Sequence, residues 1–252
     1  MTRTAIVSAL HDELSAVLAL MPDEQRTRLG GREFWRGHLH GYEVVAVLSG
    51  IGKVAAASTA TLLIDHFKVD HILFTGVAGG LGPGVAVGDL VVADALLQHD
   101  MDASPLFPRH EVPGTGLSRF PVGAGLTATL ARVARDALDD LPSFIDPAER
   151  EAFGLHAPRL HRGLVISGDR FIASQADAQA LRQALPDALT VEMEGAAFAQ
   201  VCHDHGVPLA VIRTVSDRAD DLAHVDFPRF LRGVASRYSA AVLDHFFRAL
   251  AL

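Results

Sequence analysis

The chain has 252 residues, 49% of them hydrophobic, which is enough apolar side chain for one large α/β core. Its 30 acidic residues outnumber 22 Lys and Arg, and the formal charge of −8 argues against the concentrated basic face on which binding to polymeric nucleic acid depends. A lone cysteine, Cys202, excludes an internal disulfide, and no stretch reaches the roughly 18 uninterrupted apolar residues of a membrane helix. The expectation is a single cytoplasmic domain over residues 1–252, with neither nucleic acid nor membrane as partner.

In chain order, the apolar run at residues 5–8 reads as a buried strand and leads into the acids Asp12 and Glu13. A second strand is expected at 44–48, followed by an Ala/Leu-rich helix at 52–67, and then strands at 71–74 and 90–93. Helices are expected at 125–138, 176–185 and 195–205, strands at 163–167 and 209–214, and a long closing amphipathic helix at 227–250. Residues 141–158 hold three prolines and mixed charge with neither period, and are expected to form a surface insertion. Strands alternating with helices in this way predict a three-layer α/β/α sandwich around a mostly parallel or mixed sheet.

The glycine-rich run Thr75-Gly76-Val77-Ala78-Gly79-Gly80-Leu81-Gly82-Pro83-Gly84 follows the strand at 71–74. It is not a dinucleotide fingerprint, because that motif must open a helix whose N–H groups hold the pyrophosphate, and here another strand-like run, 87–92, comes next. Two readings stay open for these glycines: a tight strand-to-strand crossing, or contact with a ligand.

Five stretches carry the chemistry: Ser49-Gly50-Ile51-Gly52-Lys53, Thr75-Gly76-Val77-Ala78-Gly79-Gly80, Ser167-Gly168-Asp169-Arg170-Phe171-Ile172, Val191-Glu192-Met193-Glu194-Gly195 and Ser216-Asp217-Arg218-Ala219-Asp220. In this order, over a chain of this length, they resemble the purine nucleoside phosphorylase superfamily. Glu192-Met193-Glu194 with Ile51-Gly52-Lys53 is most similar to its 5′-methylthioadenosine/S-adenosylhomocysteine nucleosidases. The resemblance implies a nucleoside phosphorylase-like fold, a homodimer, no cofactor, no metal, and an adenine nucleoside as the small-molecule partner.

Cleaving the bond between C1′ and an adenine nitrogen needs a proton for the departing base, stabilisation of an oxocarbenium-like sugar, and a water on the opposite face. By resemblance, Asp217 is the acid that protonates adenine and Glu13 the group that deprotonates water. Taken alone, Asp217 also reads as a turn residue and Glu13 as a solvent-facing first-turn acid. Glu194 would grip the ribose hydroxyls with Met193 packed on the sugar, and Glu192 is either a further ribose contact or a first-turn acid of the following helix. Arg213 would neutralise one of these acids or form a structural ion pair.

Phe171, Ile172, Ser216 and Gly79 would form the adenine pocket. The 5′ substituent would meet Leu10, Ile51 and Phe227, with Pro113 and Leu106 or Phe107 supplied by a neighbouring subunit. The loop at 104–110 departs from the family pattern in lacking tyrosine and being rich in proline. The superfamily's phosphorylases carry Arg-x-Gly-Ser entering the glycine run, whereas Phe74-Thr75-Gly76-Val77 offers no anion ligand at Phe74 or Val77, so the resemblance implies water as nucleophile. Val77 also stands where the nucleosidases commonly have Ser or Thr. The competing readings are a phosphate-dependent phosphorylase and a non-catalytic nucleoside-binding protein. The His99-Asp100-Met101-Asp102 and His203-Asp204-His205 spacings match no strong metal-ligand motif.

Overall fold

The computed structural model describes residues 2–218 and 227–250. Ten strands form one mixed sheet: β1 (Arg3–Ser8), β2 (Gln25–Leu29), β3 (Arg32–Leu39), β4 (Tyr42–Leu48), β5 (His71–Gly80), β6 (Leu90–Gln98), β7 (Phe120–Pro121), β8 (Leu160–Ser167), β9 (Ala188–Glu192) and β10 (Leu209–Asp217). Nine of them run in the order β10-β6-β8-β9-β5-β1-β4-β3-β2, and β7 pairs with β6. A further parallel pairing of β10 with β5 closes the first five strands on themselves, while β1, β4, β3 and β2 extend as an open wing from β5.

Helices cover both faces, as the alternating pattern predicts. On one side α1 (His11–Leu18), α3 (Ala124–Asp139) and the closing helix α9 (Ser236–Leu250) pack together over Ile6, Leu73, Ala210 and Ile212. On the other, α2 (Lys53–Asp65) packs against α7 (Gly195–His205) over Val7, Phe74, Val91 and Val211. Alternate residues of the same strands thus feed opposite cores, which is why their sequences read as continuous apolar runs. The helix α6 (Gln175–Ala184) closes a third cluster around Ile166 and Ile172. No helix among the described residues is long and apolar enough to cross a membrane.

Three expectations change. The strand at 71–74 does not stop at the glycines: β5 continues to Gly80, so most of the glycine run is strand and only Leu81–Gly84 leaves it. The reason is close approach rather than backbone twist. A Cβ on Gly80 would meet Val215 at 3.1 Å and the Asp217 carbonyl at 3.3 Å. The segment 141–158 is not merely a surface insertion, because it folds into α4 (Leu141–Phe144) and α5 (Pro147–Ala152) and buries Leu141, Ile145 and Leu155 in the core. Helices of four and six residues are too short to display a period. The closing helix is interrupted: α8 (Phe227–Phe230) passes through a π-helical turn, Leu231–Ala235, before α9. The strand β2 carries no apolar signature, since each of its residues except Leu29 is exposed.

Candidate active site

A cavity of about 420 Å³ opens where the carboxyl ends of β1, β4, β8, β9 and β10 and the outer half of β5 meet. That is where an open α/β sheet gathers its ligand groups, and the volume suits a small organic molecule. Leu10, Ile51, Gly79, Phe171, Ile172, Glu192, Met193, Glu194, Ser216, Asp217 and Phe227 all line it. Residues scattered over more than 200 positions of sequence therefore converge on one space. Phe171 is 52% exposed and offers its ring at the mouth, whereas Ile172 is buried beneath. Leu106, Phe107 and Pro113 do not line this chain's own cavity, and Leu106 stands 84% exposed on its loop.

Glu13 stands in the first turn of α1 and is fully buried, not solvent-facing. Its Oε2 accepts the Leu10 N–H at 3.2 Å, and its Oε1 is buried with no hydrogen-bond partner among the described residues. Burial pushes its pKa up to about 7, against the opposing pull of the Arg213 guanidinium and the Leu10 and Ala9 amides. Gly76 of β5 explains how a buried acid reaches the cavity. A Cβ on Gly76 would lie 3.6 Å from Glu13 Oε1 and 3.4 Å from Arg213 Nη1, so the absent side chain leaves the Glu13 carboxylate directly behind the wall that Gly76 and Arg213 line, without Glu13 itself lining the cavity.

Arg213 is 1% exposed, which makes its partners decisive. Its Nη2 donates to Glu192 Oε2 at 2.8 Å, its Nη1 donates to the Phe74 and Ile212 carbonyls, and its guanidinium lies 4.1 Å from the centre of the Phe74 ring. Glu192 is equally committed. Beyond Arg213 it accepts the Gly195 N–H on both oxygens at 3.0 and 2.8 Å, the Glu194 N–H at 3.2 Å, and the Ser167 hydroxyl. It closes the amino end of α7, where the helix dipole favours a carboxylate.

Glu194, two residues on, is buried and accepts the Gly52 N–H at 2.9 Å. Its pKa is raised to about 7 by burial first and by the neighbouring Glu192 second. Asp217 ends β10, and the Ser216 hydroxyl donates to its Oδ2 at 2.6 Å. The motif that contains it continues to Asp220, and residues 219–226 lie outside the described residues.

The acids lie near strand ends, as the sequence suggested, and Arg213 pairs with one of them, Glu192; which acid it would take was not legible in the sequence. Ser167 and Gly52 lie in the stretches singled out from the sequence, but the residue pattern gave neither a role, because both act through contacts made across the fold. Arg213 did carry a signal: an arginine inside an apolar strand run must be buried with a counter-ion or point out of the sheet.

A sequence profile described as the Phosphorylase superfamily matches residues 3–248. The chain belongs to the phosphorylase superfamily. Among solved structures of this superfamily, the 5′-methylthioadenosine/S-adenosylhomocysteine nucleosidase of Neisseria meningitidis, in complex with methylthio-immucillin-A, is 32% identical with a TM-score of 0.86, over 99% of this chain and 100% of that one. The S-adenosylhomocysteine nucleosidase of Streptococcus pyogenes, in complex with 5-methylthiotubericidin, is 31% identical with a TM-score of 0.86, over 100% and 98%. A futalosine hydrolase of Helicobacter pylori is 32% identical with a TM-score of 0.84, over 98% of each chain. This member of the superfamily is thus similar along its whole length to hydrolases that differ in the substrate they are named for.

Proposed function

We propose that this phosphorylase-superfamily protein is a nucleosidase that uses water to cleave the N-glycosidic bond of an adenine nucleoside with a 5′-thioether, 5′-methylthioadenosine or S-adenosylhomocysteine. The observation that carries the reading is Glu13: a buried carboxyl with a pKa raised to about 7, one oxygen unpartnered among the described residues, set behind a glycine of the cavity wall. A base poised near neutrality is what abstraction of a proton from water requires.

In the proposed reaction the C1′–N9 bond breaks, its electron pair goes to the purine, and Asp217 delivers a proton to N7. Water forms the new bond to C1′ and gives its proton to Glu13. The products are adenine and the 5-thio-substituted ribose, and no cofactor takes part. Glu194 accepts from the ribose hydroxyls with Oε2 while the Gly52 amide holds Oε1, and Met193 packs on the sugar. Glu192, whose oxygens already take three donor groups besides Arg213, fixes the Arg213 guanidinium and the start of α7 in support of that pair. Phe171 stacks on the purine above Ile172, with Gly79 and Ser216 at its edge, and Leu10, Ile51 and Phe227 surround the 5′ arm. Leu106, Phe107 and Pro113 of a second copy complete that end of the site, which makes the working form a homodimer.

Phosphate is disfavoured as nucleophile because Phe74 faces the Arg213 guanidinium with its ring and Val77 presents methyl groups to the cavity. Incubating the protein with methylthioadenosine, with and without phosphate, tests the proposal. Adenine and free thioribose should form at the same rate in both, and a phosphate-dependent rate yielding a ribose 1-phosphate would overturn it. Futalosine, run beside methylthioadenosine and S-adenosylhomocysteine, tests the choice of 5′ substituent: the thioethers should have the higher kcat/KM.

A further inference from the structure

The segment between β4 and α2 forms one wall of the cavity through Ile51 and turns sharply there. Gly50 and Gly52 both lie in the left-handed region, at φ of +76° and +93°, on either side of Ile51. A second wall, Arg170 to Ile172, lies in the irregular stretch between β8 and α6. These two irregular connections must be held at a fixed separation if a ligand is to fit against both.

A closed ring of contacts does this. The Lys53 N–H donates to Asp169 Oδ1 at 2.7 Å, the Asp169 N–H donates to Asp100 Oδ2 at 2.9 Å, and Lys53 Nζ returns to Asp100 Oδ1 at 2.6 Å. Lys53 Nζ also donates to Gln98 Oε1 at 3.2 Å, and Gln98 Nε2 donates to Gln200 Oε1 at 2.8 Å, which anchors the ring to β6 and α7. The Lys53 side chain is only 16% exposed. Asp100 keeps its carboxyl below the usual range although burial pushes it up, because the Lys53 ammonium and the Asp169 amide more than compensate. A lysine at the first position of a helix opposes the helix dipole, so local helix stability does not account for it. Its role is in the ring.

We propose that Lys53, acting through Asp100 and Asp169, is a positioning residue that locks the Ile51 wall to the Phe171 wall, and so governs how tightly the nucleoside is held rather than how fast its bond breaks. Neither Lys53 nor Asp100 lines the cavity. Removing the ammonium releases the Ile51 wall from Asp100 and Gln98 and leaves only the Lys53 N–H to tie it to Asp169, so the two walls lose their fixed separation. This inference rests on the nucleosidase reading for its choice of ligand.

The test compares Lys53→Met, Lys53→Arg and Asp100→Asn with the parent protein, using steady-state hydrolysis of methylthioadenosine and calorimetric binding of adenine nucleoside. Lys53→Met should raise KM and the dissociation constant at least about fivefold while kcat stays within about threefold. Lys53→Arg should recover part of the affinity. The Lys53→Met effect should largely disappear on an Asp100→Asn background, since the two act as one unit. A KM within twofold of the parent, a fall in kcat at unchanged KM, or additive effects of the two substitutions would each overturn the proposal. Should Lys53→Met not fold, Asp100→Asn is read by the same criteria. A parent protein that neither binds nor cleaves the nucleoside would sink the nucleosidase reading itself. A parent that does both, with variants that match it, would sink only the role of Lys53.

Discussion

Replacing Glu13 with Gln should disable the enzyme and stabilise it, and the two effects have separate pH signatures. The Glu13 carboxyl rises from 4.5 to about 7 on folding because it is buried. Between those two values the folded protein holds a proton that the unfolded chain has released. Stability contributed at this site therefore declines as pH rises through the window. At 1.36 kcal/mol per pH unit, the full cost above the window is about 3 kcal/mol.

Glutamine is nearly the same shape and cannot ionise, so at about pH 8 the variant should be more stable by roughly 1–3 kcal/mol, and by under about 1 kcal/mol at about pH 5. Its other effect is on rate: loss of a general base costs roughly 10²–10⁴-fold. Urea unfolding of parent and variant at the two pH values, beside the rate of adenine release, measures both. Glu194 shares the same window, but it is present in both proteins, and the difference between them isolates Glu13. A Glu13→Gln protein less stable than the parent at both pH values would refute the burial argument. One that keeps more than about a tenth of the parent's activity would refute its role as base.

The same group predicts that kcat/KM rises tenfold per pH unit on its acid side and levels off near pH 7, because the base must be ionised to act; a plateau reached well below about 6 would contradict this. Asp217→Asn should lower kcat by about 10²–10⁴-fold with an unchanged circular dichroism spectrum, and a loss under about tenfold, 1.4 kcal/mol, would remove it from the acid role. Arg213→Met leaves Glu192 buried without its cation and should cost about 3–5 kcal/mol of stability, seen as a lowered Tm; an unchanged Tm would mean that Glu192 is satisfied by its amide donors alone. Gly76→Ala places a methyl group between Glu13 and the cavity at ordinary contact distances, so the protein should fold while activity falls at least about tenfold, and full activity would show that Glu13 does not act across this glycine.

Much of the architecture was readable because it depends on local periodicity. The runs that became β1, β4, β6, β8 and β10 are apolar on both faces, as strands between two helical layers must be, and α3, with its alternating arginines and buried alanines, carries a helical stripe. What failed was short or exposed. The β2–β3 hairpin turns one edge to solvent, and α4 and α5 are too brief to repeat. The glycines of β5 were ambiguous for a related reason: a glycine says that something comes close without saying what.

The residue types of the site were in the sequence as well. Acids after strands, a Glu-Met-Glu run, and Phe74 and Val77 where an anion would need ligands are facts of order and chemistry, and they belong to a chain of the phosphorylase superfamily. The environments of those acids were not. Glu13 and Asp12 are neighbours of the same chemical kind at the start of one helix, yet only Glu13 is buried, beneath Arg213 and behind Gly76, and only there does desolvation raise the carboxyl to about 7. Glu192 and Glu194 are two residues apart, and the fold gives one to Arg213 and the α7 amides and the other to the cavity. Sequence supplies the ionisable groups, but the energy of a charge depends on the dielectric and the partners around it, and those are assembled only when distant segments pack.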